Sequence, residues 1–203
     1  NTESREAISQ ELASARGAIL VPSFDDFDII AGQGTLGLEF ARQAASMGAP
    51  LDHLVCCAGG GGLITGVALA FEGLSGDTKF WAAEPEGHDD WARSLAAGKV
   101  IANAPGTRSF CDAILTPSPG ELTFPLGQRL LAGGLVVSDA EVRAAMRFAF
   151  RHLKIVAEPG GAAALAAVLR GVPEGVRGGR VGVVVTGGNV DAVMFADVIG
   201  RSN

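Results

Sequence analysis

The chain has 203 residues, of which 48% are hydrophobic and 19% charged, and its formal net charge is −6. That length suits one domain with a sizeable core, and the acidic balance argues against nucleic acid as a partner. No apolar run reaches the length of a membrane span, the opening residues do not read as a signal peptide, and three cysteines make no disulfide framework, so a cytoplasmic protein is expected.

Residues 2–16 carry Ile8 and Leu12 at helical spacing and end at Gly17, which predicts an amphipathic helix. Ala18-Ile19-Leu20-Val21 before Pro22 predicts a short strand, and Asp25-Asp26-Phe27-Asp28 a solvated acidic loop. Gly32-Gln33-Gly34-Thr35-Leu36-Gly37 has the spelling of a dinucleotide-binding turn opening a helix over 36–47, with Asp52 at the distance of a ribose-binding acid. Asp52 precedes the next strand instead of closing it, so the stretch is read as a structural turn.

The next strand, Leu54-Val55-Cys56-Cys57, is apolar throughout, and residues 63–71 repeat apolar side chains at helical spacing. Between them Gly59, Gly60, Gly61 and Gly62 remove every Cβ. An anion can then sit against bare N–H groups at the positive end of a helix dipole. A plain strand–helix turn also uses glycines. No Lys-Ser/Thr closes the loop, which disfavours a triphosphate with magnesium and favours a small phosphate monoester.

Residues 78–83 predict a second buried strand, with Glu84-Pro85-Glu86-Gly87-His88-Asp89-Asp90 at its carboxyl end. Ligands gather at such ends, and hard oxygen donors suit Mg²⁺ or Ca²⁺, while acids at a helix N-terminus are the plainer account. Residues 98–124 form a Pro- and Gly-rich loop containing Cys111-Asp112-Ala113. Ser138-Asp139-Ala140-Glu141 is a capping box for a helix through His152, with Val142, Met146 and Ala149 facing inward. Glu158-Pro159-Gly160-Gly161 opens another helix, 171–179 reads as a polar loop, and 180–185 as the last buried strand, closed by Thr186-Gly187-Gly188-Asn189. His53 and His152 belong to no pattern. Strands alternating with helices over short connections predict an α/β fold, a parallel twisted sheet covered by helices on both faces.

Taken in order, Gly59–Gly62 with Leu63, Ala83-Glu84-Pro85, Glu158-Pro159 and Thr186-Gly187-Gly188-Asn189 resemble the large domain of the serine/threonine dehydratase and serine racemase family. Those are pyridoxal 5′-phosphate enzymes of the tryptophan synthase β-like fold. The resemblance implies that 1–16 ends a small domain or linker helix and that 17–203 is the cofactor-binding large domain. It implies phosphate on Gly59, Gly60, Gly61, Gly62 and Leu63, the ring nitrogen at the Thr186 hydroxyl, and Gly187 as a glycine that lets the flat ring approach the backbone. Glu158 would lie beside the ring, an acid that reads equally as a first-turn residue on a helix dipole. A divalent cation (Mg²⁺, or Ca²⁺ or Mn²⁺) would sit on the carboxylates of Glu84 and Asp90 and the backbone carbonyl of His88, where the family often has a smaller residue. Cys111 takes the place of a family alanine.

A hydroxyl at the ring nitrogen, in place of a carboxylate, suits β-elimination. The implied reaction converts serine, threonine or hydroxyaspartate to a 2-oxo acid and ammonia. A racemase of the same family and a non-enzymatic phosphate-ligand-binding domain are the alternatives. None of Lys79, Lys99 and Lys154 stands in the Ser-x-Lys-x-Arg setting where the family carries its Schiff-base lysine. The resemblance places that motif upstream of Asn1, so these residues alone are expected to be inactive. A mean hydropathy of +0.30 and the family's habit imply a homodimer.

Overall fold

The computed structural model describes residues 5–74, 77–171 and 178–200. The helices are α1 (Arg5–Arg16), α2 (Phe27–Ser46), α3 (Gly62–Glu72), α4 (Asp90–Ala97), α5 (Thr123–Leu130), α6 (Asp139–Phe148), α7 (Pro159–Arg170) and α8 (Ala192–Gly200). Among the described residues four strands, β1 (His53–Cys57), β2 (Lys79–Pro85), β3 (Leu131–Val137) and β4 (Val181–Val183), make one parallel sheet in the order β3-β2-β1-β4.

Every residue of β1 is buried, which explains a continuous apolar run where a half-exposed strand would alternate. Its successive side chains face opposite layers. Val55 and Cys57 pack among α6 and α7 residues, and Leu54 and Cys56 among α2 and α3 residues. Helices therefore cover both faces, as the alternation of elements predicts. Among the described residues no helix is long and apolar enough to cross a membrane.

Local chemistry fixes the helix starts. The Asp26 carboxylate accepts from the N–H groups of Asp28 (2.9 Å) and Ile29 (3.1 Å), opening α2. Ser138 and Glu141 form the reciprocal capping box of α6, which runs on as a π turn over Ala149–Leu153, so the helix expected through His152 is present. Pro159 occupies the first turn of α7, where its missing N–H costs nothing.

Several expectations are corrected. Residues 18–21 form no strand: Ile19 and Val21 are 92% and 69% exposed, and among the described residues no strand pairs with them. The Gly32–Gly37 stretch is not a turn but lies within α2. Gly34 and Gly37 serve a close helix contact, since a Cβ at Gly37 would come 2.6 Å from the Val67 carbonyl oxygen of α3 and one at Gly34 3.1 Å from that of Gly66. Asp52 sits at the amino ends of the strands, accepting from the Arg180 N–H at 2.7 Å, opposite the glycine run, which removes the dinucleotide geometry. Asp25 and Asp26 are anchors, not merely a solvated loop: Asp26 caps α2 and Asp25 caps the first turn of α5.

The sequence reading also passes over α5, β3 and α8. Gly133 and Gly134 interrupt the apolar pattern of β3, and a Cβ at Gly134 would lie 2.6 Å from Ala92 Cα of α4. The loop expected over 171–179 falls mostly outside the described residues, as do residues 2–4 of the first helix.

Candidate functional site

β1 ends at Cys57 and α3 begins at Gly62, so the intervening backbone must turn at the carboxyl edge of the sheet. Gly61 makes the turn with φ +100°, a conformation that side chains disfavour. A Cβ on it would run into the buried Trp91 ring, and one on Gly60 into the Phe24 ring. Among the described residues nothing accepts a hydrogen bond from the N–H groups of Gly60, Gly61, Gly62 or Leu63. These amides stand at the N-terminus of α3, on the wall of a cavity of about 270 Å³. Ala113, Ile114 and Thr116 line it too, and Thr116 Oγ1 is buried with no partner among the described residues.

Cys57, Glu158 and Thr186 complete the same cavity. Thr186 Oγ1 lies 3.6 Å from Cys57 Sγ. Either atom can donate; with the thiol as donor, the hydroxyl's own proton is left for a ligand. Glu158 is tied into the loop after β4: its carboxylate accepts from the Asn189 N–H at 3.0 Å, and its N–H donates to the Gly187 carbonyl at 2.8 Å. Its carboxylate thereby holds the 187–189 backbone in place, a stronger role than a bare helix-dipole acid. Cys111 packs in the core beside Cys57, and burial pushes its thiol up to about 12, which makes it an inert neighbour.

The acidic segment after β2 is a separate cluster. The Glu84 carboxylate accepts from Trp91 N–H (2.8 Å) and Ala92 N–H (2.9 Å), capping α4 across seven residues. Asp90 Oδ1 accepts from Asn103 Nδ2 at 2.6 Å, while its Oδ2 is buried without a partner among the described residues, as are both ring nitrogens of His88. Burial raises Glu84 to about 8, with the neighbouring Asp90 adding to the effect. Burial raises Asp90 to about 6. Among the described residues no three His, Cys, Asp or Glu side chains converge as a metal cage; Glu84 and Asp90 are the buried carboxylates of this cluster, and Asp89 pairs with Arg93 at 3.2 Å.

The sequence profile of the pyridoxal-phosphate dependent enzymes matches residues 1–187. The chain belongs to that family. It is 41% identical over 199 residues to L-threo-3-hydroxyaspartate ammonia-lyase of Pseudomonas sp, covering 98% of this chain and 60% of the relative. It is 34% identical over 199 residues to serine racemase of Dictyostelium discoideum, covering 97% and 60%. The crystal structure of threonine deaminase from T.th. superposes with a TM-score of 0.86 at 39% identity, covering 94% of this chain and 61% of that one. The chain thus spans about 60% of the length of the relatives it matches. Membership of the pyridoxal-phosphate dependent family implies that cofactor.

Of the three lysines, none lines the glycine-loop cavity; all are exposed, and Lys154 Nζ donates to the Arg151 carbonyl at 2.7 Å. The sequence reading misses Phe24, Trp91, Thr116 and Thr123. Trp91 Nε1 donates to Gly59 O at 2.7 Å and Thr123 Oγ1 to Gly60 O at 2.6 Å, across 32 and 63 residues. No local pattern announces such contacts. His53, which belongs to no motif, accepts from Trp81 Nε1 at 3.2 Å and is a core histidine.

Proposed function

We propose that this chain supplies the phosphate- and ring-binding part of an ammonia-lyase that eliminates water from a β-hydroxy amino acid such as serine, threonine or hydroxyaspartate. The observation that carries the reading is one cavity walled both by unpartnered amides at a helix N-terminus and by Thr186 with its hydroxyl. Both groups suit pyridoxal 5′-phosphate: the amides of Gly60, Gly61, Gly62 and Leu63 bind the dianionic phosphate, with Gly59 giving it room, and the Thr186 hydroxyl donates to the ring nitrogen. When bound, the cofactor withdraws electrons from the substrate, so that an α-proton can leave and a β-hydroxyl can follow, giving a 2-oxo acid and ammonia after hydrolysis. Gly187 leaves space for the Glu158 carboxylate, which keeps the 187–189 backbone in register beside the ring. A neutral hydroxyl at the nitrogen leaves the ring a moderate electron sink, which favours loss of the β-hydroxyl. The lysine and the base that moves the α-proton are not assigned to any residue of this chain. Residues 17–203 form the proposed large domain and 1–16 its connection.

A divalent cation, Mg²⁺ or Ca²⁺, belongs by the same reading on the Glu84 and Asp90 carboxylates and the His88 carbonyl. Two buried acids with raised pKa values, Asp90 despite the nearby Arg93, and the unpartnered Asp90 Oδ2 offer donors to a cation, and a cation there would stiffen the start of α4. The reading extends to a cytoplasmic homodimer, supported by three free buried cysteines and by exposed Ile19, Val21 and Phe27. A racemase is the second reading, favoured by the serine racemase relative, and it requires a second acid–base on the far side of the ring.

The test is the absorption spectrum of the whole protein with added cofactor, before and after borohydride, followed by intact mass. A near-ultraviolet to visible band fixed by reduction as a covalent adduct, with 2-oxo acid release from hydroxyamino acids, is expected. No band and no adduct refute the enzyme reading.

A further inference from the structure

We propose that Trp91 and Thr123 are positioning residues that set which way the glycine-loop peptides face. The inference rests on the reading of Gly59–Gly62 as the cofactor's phosphate site. In a trans peptide the carbonyl of one residue and the N–H of the next share a plane and point in opposite directions. Trp91 Nε1 holds Gly59 O at 2.7 Å and Thr123 Oγ1 holds Gly60 O at 2.6 Å, so the N–H groups of Gly60 and Gly61 are turned the other way, to the cavity. The next carbonyl, Gly61 O, is held by α3 itself, through Thr65 N–H at 3.0 Å and Thr65 Oγ1 at 2.8 Å.

Four successive glycines are the backbone least able to make that choice unaided, because glycine populates both signs of φ. Turning over a Gly–Gly peptide would present a carbonyl oxygen to the anion and replace attraction with repulsion. Selection therefore has to come from outside the loop, and both donors are themselves fixed. The Gly120 N–H, shared between Thr123 Oγ1 at 3.0 Å and Gly60 O at 3.2 Å, occupies a lone pair of the hydroxyl, directs its single proton to Gly60 O and braces the same carbonyl from the backbone. The Thr123 N–H is held by Asp25 at 3.1 Å. The Trp91 N–H is held by Glu84 at 2.8 Å, and the indole is fully buried. Neither Trp91 nor Thr123 lines the cavity, so each acts through the loop and not on the ligand.

The test uses the full chain, free of cofactor, in equilibrium dialysis against pyridoxal 5′-phosphate and against pyridoxal, which lacks the phosphate. Thr123→Val and Trp91→Phe should each weaken pyridoxal phosphate binding about tenfold, some 1.4 kcal/mol, and leave pyridoxal binding unchanged. Thr123→Ser, which keeps the hydroxyl, should restore the wild-type ratio of the two affinities. A purely structural role would lower both affinities together. That outcome, or an unchanged ratio in both variants, overturns the inference while leaving the phosphate site standing. If Thr123→Val does not fold, Trp91→Phe decides alone. A wild-type chain with no preference for the phosphorylated form removes the phosphate reading itself, and this inference with it.

Discussion

The sharpest check on the loop geometry is Gly61→Ala, measured against Gly48→Ala. Both glycines have positive φ, +100° and +65°, but a Cβ at Gly48 meets nothing within 4 Å, whereas one at Gly61 meets the Trp91 ring and Thr123. Backbone conformation alone costs a side chain roughly 1–2 kcal/mol at either position. The overlap at Gly61 adds the penalty of overpacking a rigid interior, about 1–3 kcal/mol. With a urea slope of about 2–3 kcal/mol per molar, a 3 kcal/mol loss moves the unfolding midpoint by about 1 M. Chemical denaturation followed by circular dichroism reads both variants. Trp91→Phe shortens the ring that meets the new methyl, so combining it with Gly61→Ala should recover about 1–2 kcal/mol in a double-mutant cycle. If Gly61→Ala costs no more than Gly48→Ala, or if the cycle shows no coupling, the indole does not stand behind the loop and the account of its pinned carbonyls fails.

Three further outcomes are expected. Gly32→Ala, inside α2 with open space around it, should stabilise by about 0.5–1 kcal/mol, while Gly37→Ala should cost about 1–3 kcal/mol against α3; a loss at Gly32 in thermal melts would restore the turn reading. Glu84 and Asp90 have folded pKa values raised above their unfolded ones, so the folded state keeps protons that the unfolded chain releases. Their contribution is whole below about pH 4 and is lost as pH rises through about 6 and about 8, so the metal-free chain should melt lower at pH 8 than at pH 5, and Mg²⁺ or Ca²⁺ should reduce the difference. Calorimetry showing a flat profile, or no cation effect at pH 8, counts against the buried acids and their cation respectively. Thr186→Val should lower kcat for 2-oxo acid release about tenfold or more in the whole enzyme, by removing one donor to the ring, with little change in affinity for the phosphate; steady-state kinetics with unchanged kcat would exclude that role.

What could be read from the residues is what short-range chemistry writes. β1 shows itself because both of its faces are covered, and the glycine run because it lies between a strand and a helix. The Ser138–Glu141 box needs only three residues to be recognised. The errors have physical causes too. Gly34 and Gly37 are three apart, which serves a helix face pressed against α3 as well as it serves a nucleotide turn. β3 hides behind Gly133 and Gly134, whose lack of side chains makes room for Trp81 and Ala92. Isolated apolar spelling promised a strand at 18–21, but a strand exists only beside another. The anchors of the glycine loop are invisible because each reaches it from a distant element, and Glu84, legible as a possible ligand, is seen only in three dimensions to hold the first turn of α4 as well.

The Asp25 carboxylate takes the N–H groups of Glu121, Leu122 and Thr123, at sequence separations of 96, 97 and 98. Contacts that span so much chain form only after large loops have been closed, at an entropic cost that the earliest contacts do not meet. The β1–α3 junction can fold from neighbouring residues, yet its outer brace arrives with a segment synthesised some sixty residues later. A nascent chain therefore carries the loop before it carries the means of keeping that loop in one shape. In the finished protein the same dependence runs backwards. Detachment of the first turn of α5 exposes three amides at once, and their shared rate of hydrogen exchange reports how often the loop is left unbraced.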